Sequence, residues 1–478
     1  MPAEARLAID GGPRAVATQY RERWRGVRAR ELAAIVRYGL RDVSTLAKGD
    51  GPVAELEAEF AALAGTRHAL AMNSGTAALH SAYFAVGVEP GSEVIVPSYT
   101  FFASAAPVLQ CGARPVFCEV DPRTLTADPD DVERRITPRT RAICVVHMWG
   151  NPAPLDRFAE IARRHRVALI EDCSHAHGAG YLGRPVGGWG DIGCFSLQGA
   201  KAVSGGEAGI AVTDDPALYD RMLLLGHYGR LKKGQAAASF ESDHLSLGVK
   251  YRPHLYAVLL ARGSLSRLQE LNRRRRRNYA LLTQALADCP AVRPIETTPG
   301  AERGGFLEYI LRYEPVRAGG LGLDAFVERA RAEGVPVSPE RYSAIGPHGR
   351  MLHQSPIFTA PSPFAFAAGR AEEPAFDAPR LPVSEGLRDR LLTLPPFTKV
   401  PERLIRECAE ALRKVAGAAA SRAPGAAGDA PSGAPQASRR AHRIGKAPAD
   451  PSPRGEGSRR RGPRAEPPRP PARRAPKS

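Results

Sequence analysis

Val167-Ala-Leu-Ile-Glu171-Asp172-Cys-Ser-His175 and, further on, Ser196-Leu-Gln-Gly-Ala-Lys201-Ala-Val-Ser-Gly-Gly-Glu-Ala-Gly209 are the stretches on which the reading of this chain turns. The apolar run 167–170 predicts a buried strand, with two carboxylates at its carboxyl end. The lysine follows in a loop rich in glycine and serine. A strand-end carboxylate and a lysine in such a loop match the needs of pyridoxal phosphate. The aspartate would keep the pyridine nitrogen protonated, so that the ring draws electrons. The lysine would carry the cofactor as a Schiff base and later move protons.

A cofactor phosphate needs its own cradle. Ala69-Leu-Ala-Met72 reads as a short buried strand, Asn73-Ser-Gly-Thr76 follows, and 77–85 has helical composition. Small residues at a helix start offer free backbone N–H groups and the positive dipole end to an anion. Alone, the tetrapeptide reads as an ordinary N-cap. With Asp172 and Lys201 downstream, the phosphate reading is preferred.

Working outward, apolar runs alternate with amphipathic stretches from about residue 54 to 215. Val94-Ile-Val96, Pro115–Val120 and Ala142–His147 are continuous in apolar character, which suits strands covered on both faces. Leu155–His165 is a candidate helix between them. The alternation predicts an α/β sheet with helices on both sides, in which ligands collect outside the carboxyl ends of the strands. Tyr256–Asp288 reads as largely helical and contains Arg273-Arg-Arg-Arg-Arg277, taken here as a solvated helix face rather than a nucleic-acid site. A smaller α+β unit is expected next, with a strand over Phe306–Tyr313, helices over Leu323–Glu333 and Glu402–Val415, and a long loop over Ser355–Pro379. The expected organisation is a large domain over 1–270 including the N-terminal segment, a small domain over 271–415, and a disordered Ala/Pro/Arg-rich tail over 416–478.

The chain has 478 residues, 43% of them hydrophobic, and a formal net charge of +17. Over 416–478 there are 14 Lys/Arg against 4 Asp/Glu, so most of the basicity belongs to the tail. No apolar stretch is long enough to span a bilayer, and the first residues lack the apolar core of a signal peptide, so a cytoplasmic protein is expected. The seven cysteines form no C-x-x-C pair and read as buried free thiols. His175 and His177 stand near Asp172, but no third soft ligand follows at a sensible spacing, and no metal is expected. His177 and His147 are each as well explained by a structural role as by the active site. Gly178-Ala-Gly-Tyr-Leu-Gly183 matches a dinucleotide fingerprint literally. Arg184-Pro185 follows where a helix should open, so the segment reads as a turn or hairpin.

Several further segments occur in an order that resembles the DegT/StrS-type sugar aminotransferases, of pyridoxal-phosphate fold type I. They are Asn73–Leu79, Val96-Pro-Ser-Tyr-Thr-Phe-Phe-Ala-Ser104, Val146-His-Met-Trp-Gly150, Glu171–Gly178, Gly190–Ser196, Gly205–Gly209, Leu381–Glu385 and Leu394–Phe397. The resemblance runs from Leu7–Pro13 to about Val415. It implies that Lys201 is the Schiff-base lysine and proton shuttle. Asp172 would pair with the pyridinium nitrogen. His175 would contact the ring hydroxyl, and Phe101 would stack on the ring. Gly75, Thr76 and Ser196 would form the phosphate cradle, and Gln198 would lie near the substrate. Many relatives carry Gly-x-Asn-Tyr-Arg-Met, whose asparagine reaches the neighbouring subunit's cofactor phosphate. Here the segment is Gly248-Val-Lys250-Tyr-Arg-Pro253. Lys250 would reach that phosphate or an anionic substrate group, or else point to solvent, and the change weakens the usual nucleotide-sugar assignment. The implied activity moves an amino group from glutamate or glutamine to a keto-sugar, nucleotide-linked or phosphorylated, or to a keto-cyclitol. The setting would be amino-sugar, antibiotic or polysaccharide synthesis, by a homodimer with composite active sites. The alternative is a non-catalytic regulatory or sensor protein of the same fold.

Overall fold

In the computed structural model, residues 6–22, 26–41, 43–231, 249–343, 349–359 and 378–421 are described. Seven strands form the central sheet: β1 (His68–Met72), β2 (Glu93–Pro97), β3 (Arg114–Cys118), β4 (Thr140–Val146), β5 (Ala168–Asp172), and, after the short hairpin strands β6 (Gly180–Tyr181) and β7 (Arg184–Pro185), β8 (Ile192–Ser196) and β9 (Gly209–Thr213). Their order is β1-β9-β8-β5-β4-β2-β3. The pairs from β3 to β8 are parallel, and β9 runs antiparallel to both of its neighbours, β8 and β1.

Side chains alternate across this sheet, and both faces are apolar. Leu70, Val94, Val96, Cys144 and Ile170 join one buried cluster, while Ala71, Ile95, Ile143, Val145 and Leu169 join another. This two-sided burial is why the strands read as continuous apolar runs. The helix Gly75–Ala85 lines the first face. Pro52–Ala64, Leu155–His165 and Leu255–Leu265 cover the second. Leu155–His165 matches its expected bounds. It buries Leu155, Phe158, Ile161 and Ala162, and carries Arg163, Arg164 and His165 in its last turn, where positive charge complements the dipole.

Four further strands, β10 (Val292–Pro294), β12 (Tyr309–Tyr313), β13 (Ser338–Pro339) and β14 (Leu391–Leu394), pair antiparallel in the order β10-β12-β14-β13. With the helices Leu268–Ala285, Leu323–Ala332 and Glu402–Ala420 they enclose a third core built on Tyr309, Phe326, Phe397 and Leu412. β11 (Ala301–Glu302) pairs with β6. The segment 178–183 is the hairpin expected from its sequence: β6 and β7 flank Leu182 and Gly183, both at positive φ.

Four boundaries differ from expectation. The described residues cluster as one compact unit, and the helix Leu268–Ala285 runs across the expected break at 270. Residues 7–16, in the N-terminal segment, pack with the small domain rather than the large one. Leu7 and Val16 enter the third core, and the amides of Ala8 and Ala15 donate to the two carboxylate oxygens of Glu333 at 2.8 and 2.9 Å. The last helix continues past 415 to Ala420, because Ala416 and Ala419 extend its buried face. The 256–288 stretch is two helices, split after Leu265. Residues 422–478 and 360–377, which include most of the expected tail and loop, lie outside the described residues.

The five-arginine run is not a uniformly solvated face. Arg273, Arg274 and Arg277 are exposed, but Arg275 is fully buried. Its Nε donates to Thr398 Oγ1 at 3.0 Å and its Nη1 to the Gly305 carbonyl. These bonds tie the helix to two loops of the small domain. Arg275→Ala would leave buried acceptors unpaired and should lower the unfolding free energy by about 3 kcal/mol. Arg273→Ala should change it by less than about 0.5 kcal/mol. Urea unfolding of the two variants checks this, and equal midpoints would contradict the division of the run.

Candidate active site

β1, β5 and β8 point the same way, so their carboxyl ends meet at one edge of the sheet. After β1 the chain turns at once into the helix Gly75–Ala85. Ser74 caps that helix, its Oγ accepting from the Ala77 amide at 3.1 Å. Two glycines allow the strands to close on this turn. A Cβ on Gly75 would stand 2.7 Å from the Ser196 Cβ, and one on Gly209 would stand 2.1 Å from the Ser74 carbonyl oxygen. The helix start, Ser196 at the end of β8 and the loop before β9 are thereby pressed together.

At this edge lies a cavity of about 470 Å³. Eight residues singled out from the sequence line it: Gly75, Thr76, Phe101, Asp172, His175, Ser196, Gln198 and Lys201. Lys201 follows a tight turn in which its amide donates to the Gln198 carbonyl at 2.8 Å. Gln198 is exposed, and its side-chain Oε1 accepts from the Ala200 amide, so it braces the lysine loop. Phe101 is 42% exposed, with its ring 4.3 Å from that of Phe102. Lys250 does not line the cavity of its own chain. It is exposed, and the next residue, Tyr251, accepts a 2.7 Å bond from the Asn73 amide, which ties the segment to the turn after β1. Gly248 lies outside the described residues.

Asp172 is buried, and both of its oxygens are engaged. Oδ2 accepts from the Ser104 hydroxyl at 2.8 Å, and Oδ1 from the Ser174 amide at 3.0 Å. Ser104 is fixed in turn by Thr100 Oγ1 at 3.0 Å, and its carbonyl accepts from the Tyr83 hydroxyl at 2.7 Å. His175 Nδ1 accepts from the Trp149 amide at 3.4 Å, which leaves the proton on Nε2. Burial, with the charges of Lys201 and Arg341 close by, holds this histidine well below its ordinary pKa, so the ring is neutral. An anion-seeking helix start, a buried carboxylate, a neutral N–H donor and a lysine around one cavity fit the phosphate, ring nitrogen, ring hydroxyl and aldehyde of pyridoxal phosphate.

The neighbouring polar groups are structural. Glu171 is fully buried. It accepts from the amides of Gly187, Trp189 and Gly190 at 2.7, 2.7 and 2.8 Å, and from His147 Nε2 at 3.1 Å. Burial pushes its carboxyl up, but the His147 and amide hydrogen bonds outweigh this and hold it below its ordinary value. His147 Nδ1 accepts from the Ala153 amide, so both of its ring nitrogens are used. Cys173 Sγ lies within 4.8 Å of ligand atoms of His147 and Glu171, but its thiol is pushed far up by burial and the adjacent carboxylates. His177 packs between Phe60 and Phe195, its pKa pushed down to about 3 by burial and by Lys201. Among the described residues all seven cysteines are free, and only Cys111 is not fully buried. No described helix is long and apolar enough to cross a membrane.

Sequence reading missed Ser104, Thr100, Arg341 and Tyr342, which share this site. Ser104 stood inside a quoted segment, but nothing local marks its hydroxyl as the partner of a carboxylate 68 positions away.

The sequence profile of the DegT/DnrJ/EryC1/StrS aminotransferase family matches residues 39–358. The L-glutamine:2-deoxy-scyllo-inosose aminotransferase of Streptomyces kanamyceticus is 38% identical over 357 residues, which span 73% of this chain and 81% of that protein. The L-glutamine:scyllo-inosose aminotransferase of Streptomyces griseus is 37% identical over 317 residues, 65% of this chain and 74% of that one. Among solved structures, DesI in the presence of its TDP-sugar product superposes with a TM-score of 0.68 at 31% identity, covering 87% of this chain and 97% of DesI. 3-Amino-5-hydroxybenzoic acid synthase gives 0.69 at 28% identity, covering 83% and 99%. Family match, sheet order and the cavity built on Lys201 and Asp172 agree: the chain belongs to the DegT/DnrJ/EryC1/StrS aminotransferase family and has its fold type I architecture.

Proposed function

We propose that this aminotransferase uses pyridoxal phosphate held by Lys201 to move the amino group of L-glutamine to a keto-cyclitol. The observation that carries the reading is the single cavity that gathers Lys201, Asp172, His175 and the start of the helix Gly75–Ala85. The relatives in Streptomyces kanamyceticus and Streptomyces griseus, which act from L-glutamine on inosose ketones, support this acceptor over a nucleotide-linked sugar. Lys250, in the segment where many relatives carry asparagine, also weakens the nucleotide-sugar assignment. The lysine in the cavity favours turnover over a purely regulatory role.

Gly75, Thr76 and Ser196 would hold the phosphate against the helix N-terminus. Asp172, fixed by Ser104 and the Ser174 amide, would hold the ring nitrogen, and Nε2 of His175 would donate to the ring hydroxyl. Phe101 would cover the ring. Once bound, the cofactor supplies an electron sink for the bond being broken at the donor's α-carbon. Lys201 Nζ would take the α-proton from the donor and later deliver a proton to the acceptor carbon. His175, being neutral, does not compete as an acid. In a homodimer, Lys250 of each subunit would complete the other subunit's phosphate or substrate site. A helix start with two hydroxyls leaves part of a doubly charged phosphate uncompensated, and an ammonium supplies the rest.

With L-glutamine and 2-deoxy-scyllo-inosose or scyllo-inosose, the loaded protein should form the amino-cyclitol, and its visible absorption band should bleach with glutamine alone. Lys201→Ala should do neither while still retaining cofactor through the phosphate and ring contacts. Transfer by the variant, or none by the wild type, would refute the reading. Asp172→Asn should keep the fold and lower kcat by about 100-fold or more, because an amide cannot stabilise a pyridinium charge. Activity within a few-fold of wild type would make Asp172 a mere strand-end cap. Lys250→Ala and Lys201→Ala subunits, each nearly inactive alone, should regain activity when mixed, with one competent site per mixed dimer. A dead mixture containing demonstrated mixed dimers would remove Lys250 from the neighbouring site.

A further inference from the structure

Between β13 and β14 the described chain leaves the small sheet and crosses to the large domain. Met351, Leu352, Leu381 and Leu387 are buried in the cluster on the first face of the central sheet, and the Phe358 ring lies edge-on to that of Phe117 on β3, 5.2 Å away. Two short helices of this crossing, Leu352–Gln354 and Pro382–Glu385, dock at the carboxyl ends of β2 and β3. Glu119, just past β3, accepts from the amides of Val383 and Ser384 at 3.0 and 2.8 Å and from the Ser384 hydroxyl at 2.5 Å. Ser98, just past β2, meets His353. Its Oγ lies 2.6 Å from the histidine Nδ1, and the histidine Nε2 lies 3.0 Å from Glu385 Oε1.

The far end of this Ser98–His353–Glu385 chain fixes its protons. Glu385 also accepts from the Leu381 amide at 3.2 Å, and that bond, with the one from His353, holds its carboxyl below the ordinary value. A carboxylate only accepts, so Nε2 carries the ring proton. Burial holds the ring below its ordinary pKa and neutral. Nδ1 is then an acceptor, and the Ser98 hydroxyl has to donate to it. The order of residues is that of a hydrolytic triad, but Ser98 is fully buried and no substrate reaches its hydroxyl. The chain works as a strut.

What it braces is the loop 98–104. The Ser98 amide donates to the Cys118 carbonyl at 3.0 Å. The next residue, Tyr99, is anchored elsewhere: its hydroxyl accepts from the Trp149 indole N–H at 2.9 Å. From these two fixed points the loop presents Phe101, proposed to cover the cofactor ring, and Ser104, which donates to Asp172 at 2.8 Å. The Ser104 amide donates to the Phe101 carbonyl at 3.1 Å, which couples the two. Phe101 is 42% exposed, so its backbone, more than packing around its ring, sets its place. We infer that His353 is a positioning residue of the active site: by accepting from the Ser98 hydroxyl it ties the docking of segments 351–354 and 381–385 to the placement of Phe101 and Ser104. The inference rests on the pyridoxal-phosphate reading of the cavity.

Amide side chains dissect the imidazole. Asparagine can set Oδ1 where Nδ1 stands and keep the Ser98 bond, whereas glutamine can set its nitrogen near the ring Nε2 and keep only the Glu385 bond. In a Lys201→Ala background, where the cofactor is held without a covalent bond, His353→Gln and Ser98→Ala should each raise the Kd for pyridoxal phosphate about threefold to tenfold, the range of one aromatic contact. His353→Asn should stay within about twofold of the parent. With Lys201 intact, His353→Gln and Ser98→Ala should share a weakened visible circular-dichroism band and a kcat lowered by about tenfold, because small displacements are amplified in rate. Combining them should add no more than about twofold to the worse single variant. Wild-type affinity, dichroism and kcat in Ser98→Ala, or the same defect in His353→Asn as in His353→Gln, would overturn the assignment. Ser98→Ala removes one oxygen from a packed core and carries the test if the histidine variants do not fold. Failure of the wild type to bind pyridoxal phosphate would refute the cofactor reading and this inference with it. Ser98-dependent affinity and dichroism without transfer to either inosose would keep the strut and refute only the proposed acceptor.

Discussion

Two carboxylates stand side by side at the end of β5 and lead opposite lives, and the site depends on that division. Successive residues of a strand face opposite sides of the sheet. Glu171 turns into the layer beneath the outer helices, where three amides and an imidazole surround it. A buried carboxylate left unpaired would be strongly destabilising, and four donors make it a clamp instead. The clamp fixes the loop 187–190 that leads into β8, and with it the register of the strand ending at Ser196. Asp172 turns the other way, into the cavity, and is met by a single hydroxyl and a single amide.

The same contrast runs through the rest of the site. Groups with a structural duty are saturated, as His147 is with both nitrogens used. His175, which faces the cavity, keeps capacity in reserve: its Nδ1 accepts from the Trp149 amide and its Nε2 proton is left for a ligand. Preorganisation is achieved by fixing the backbone and the stacked rings rather than by filling every donor and acceptor.

Much of this was legible in the sequence because the sheet is buried on both faces. Continuous apolar runs marked β1 to β5, and the residues ending those runs had to lie at the ligand edge. The lysine loop was legible because glycine and serine seldom cluster so densely without a turn to make. What escaped reading was set by contacts between distant segments. Arg275 looked like one of five equivalent arginines, and only the arrival of Gly305 and Thr398 distinguishes it. Leu7 and Val16 looked like an extension of the first domain, but Glu333, whose carboxylate receives the adjoining amides of Ala8 and Ala15, lies more than three hundred positions away. Arg341 had no local pattern at all: it reaches the cavity from the small domain, held by an ion pair with Glu308 and lying over the Trp149 ring.

The pairing of β1 with β9, His68 opposite Thr213, has a consequence for how the enzyme is assembled. The strand that begins the sheet is joined to it through a partner that emerges long after. The turn 73–76 therefore hangs on a contact whose loop-closure entropy is met late. Until β9 is in place, no surface exists on which the phosphate end of the cofactor can rest, although the Asp172 end is built from strands nearer in sequence. A cofactor resting on that turn would select molecules in which β9 has closed the central sheet. It would protect them by mass action.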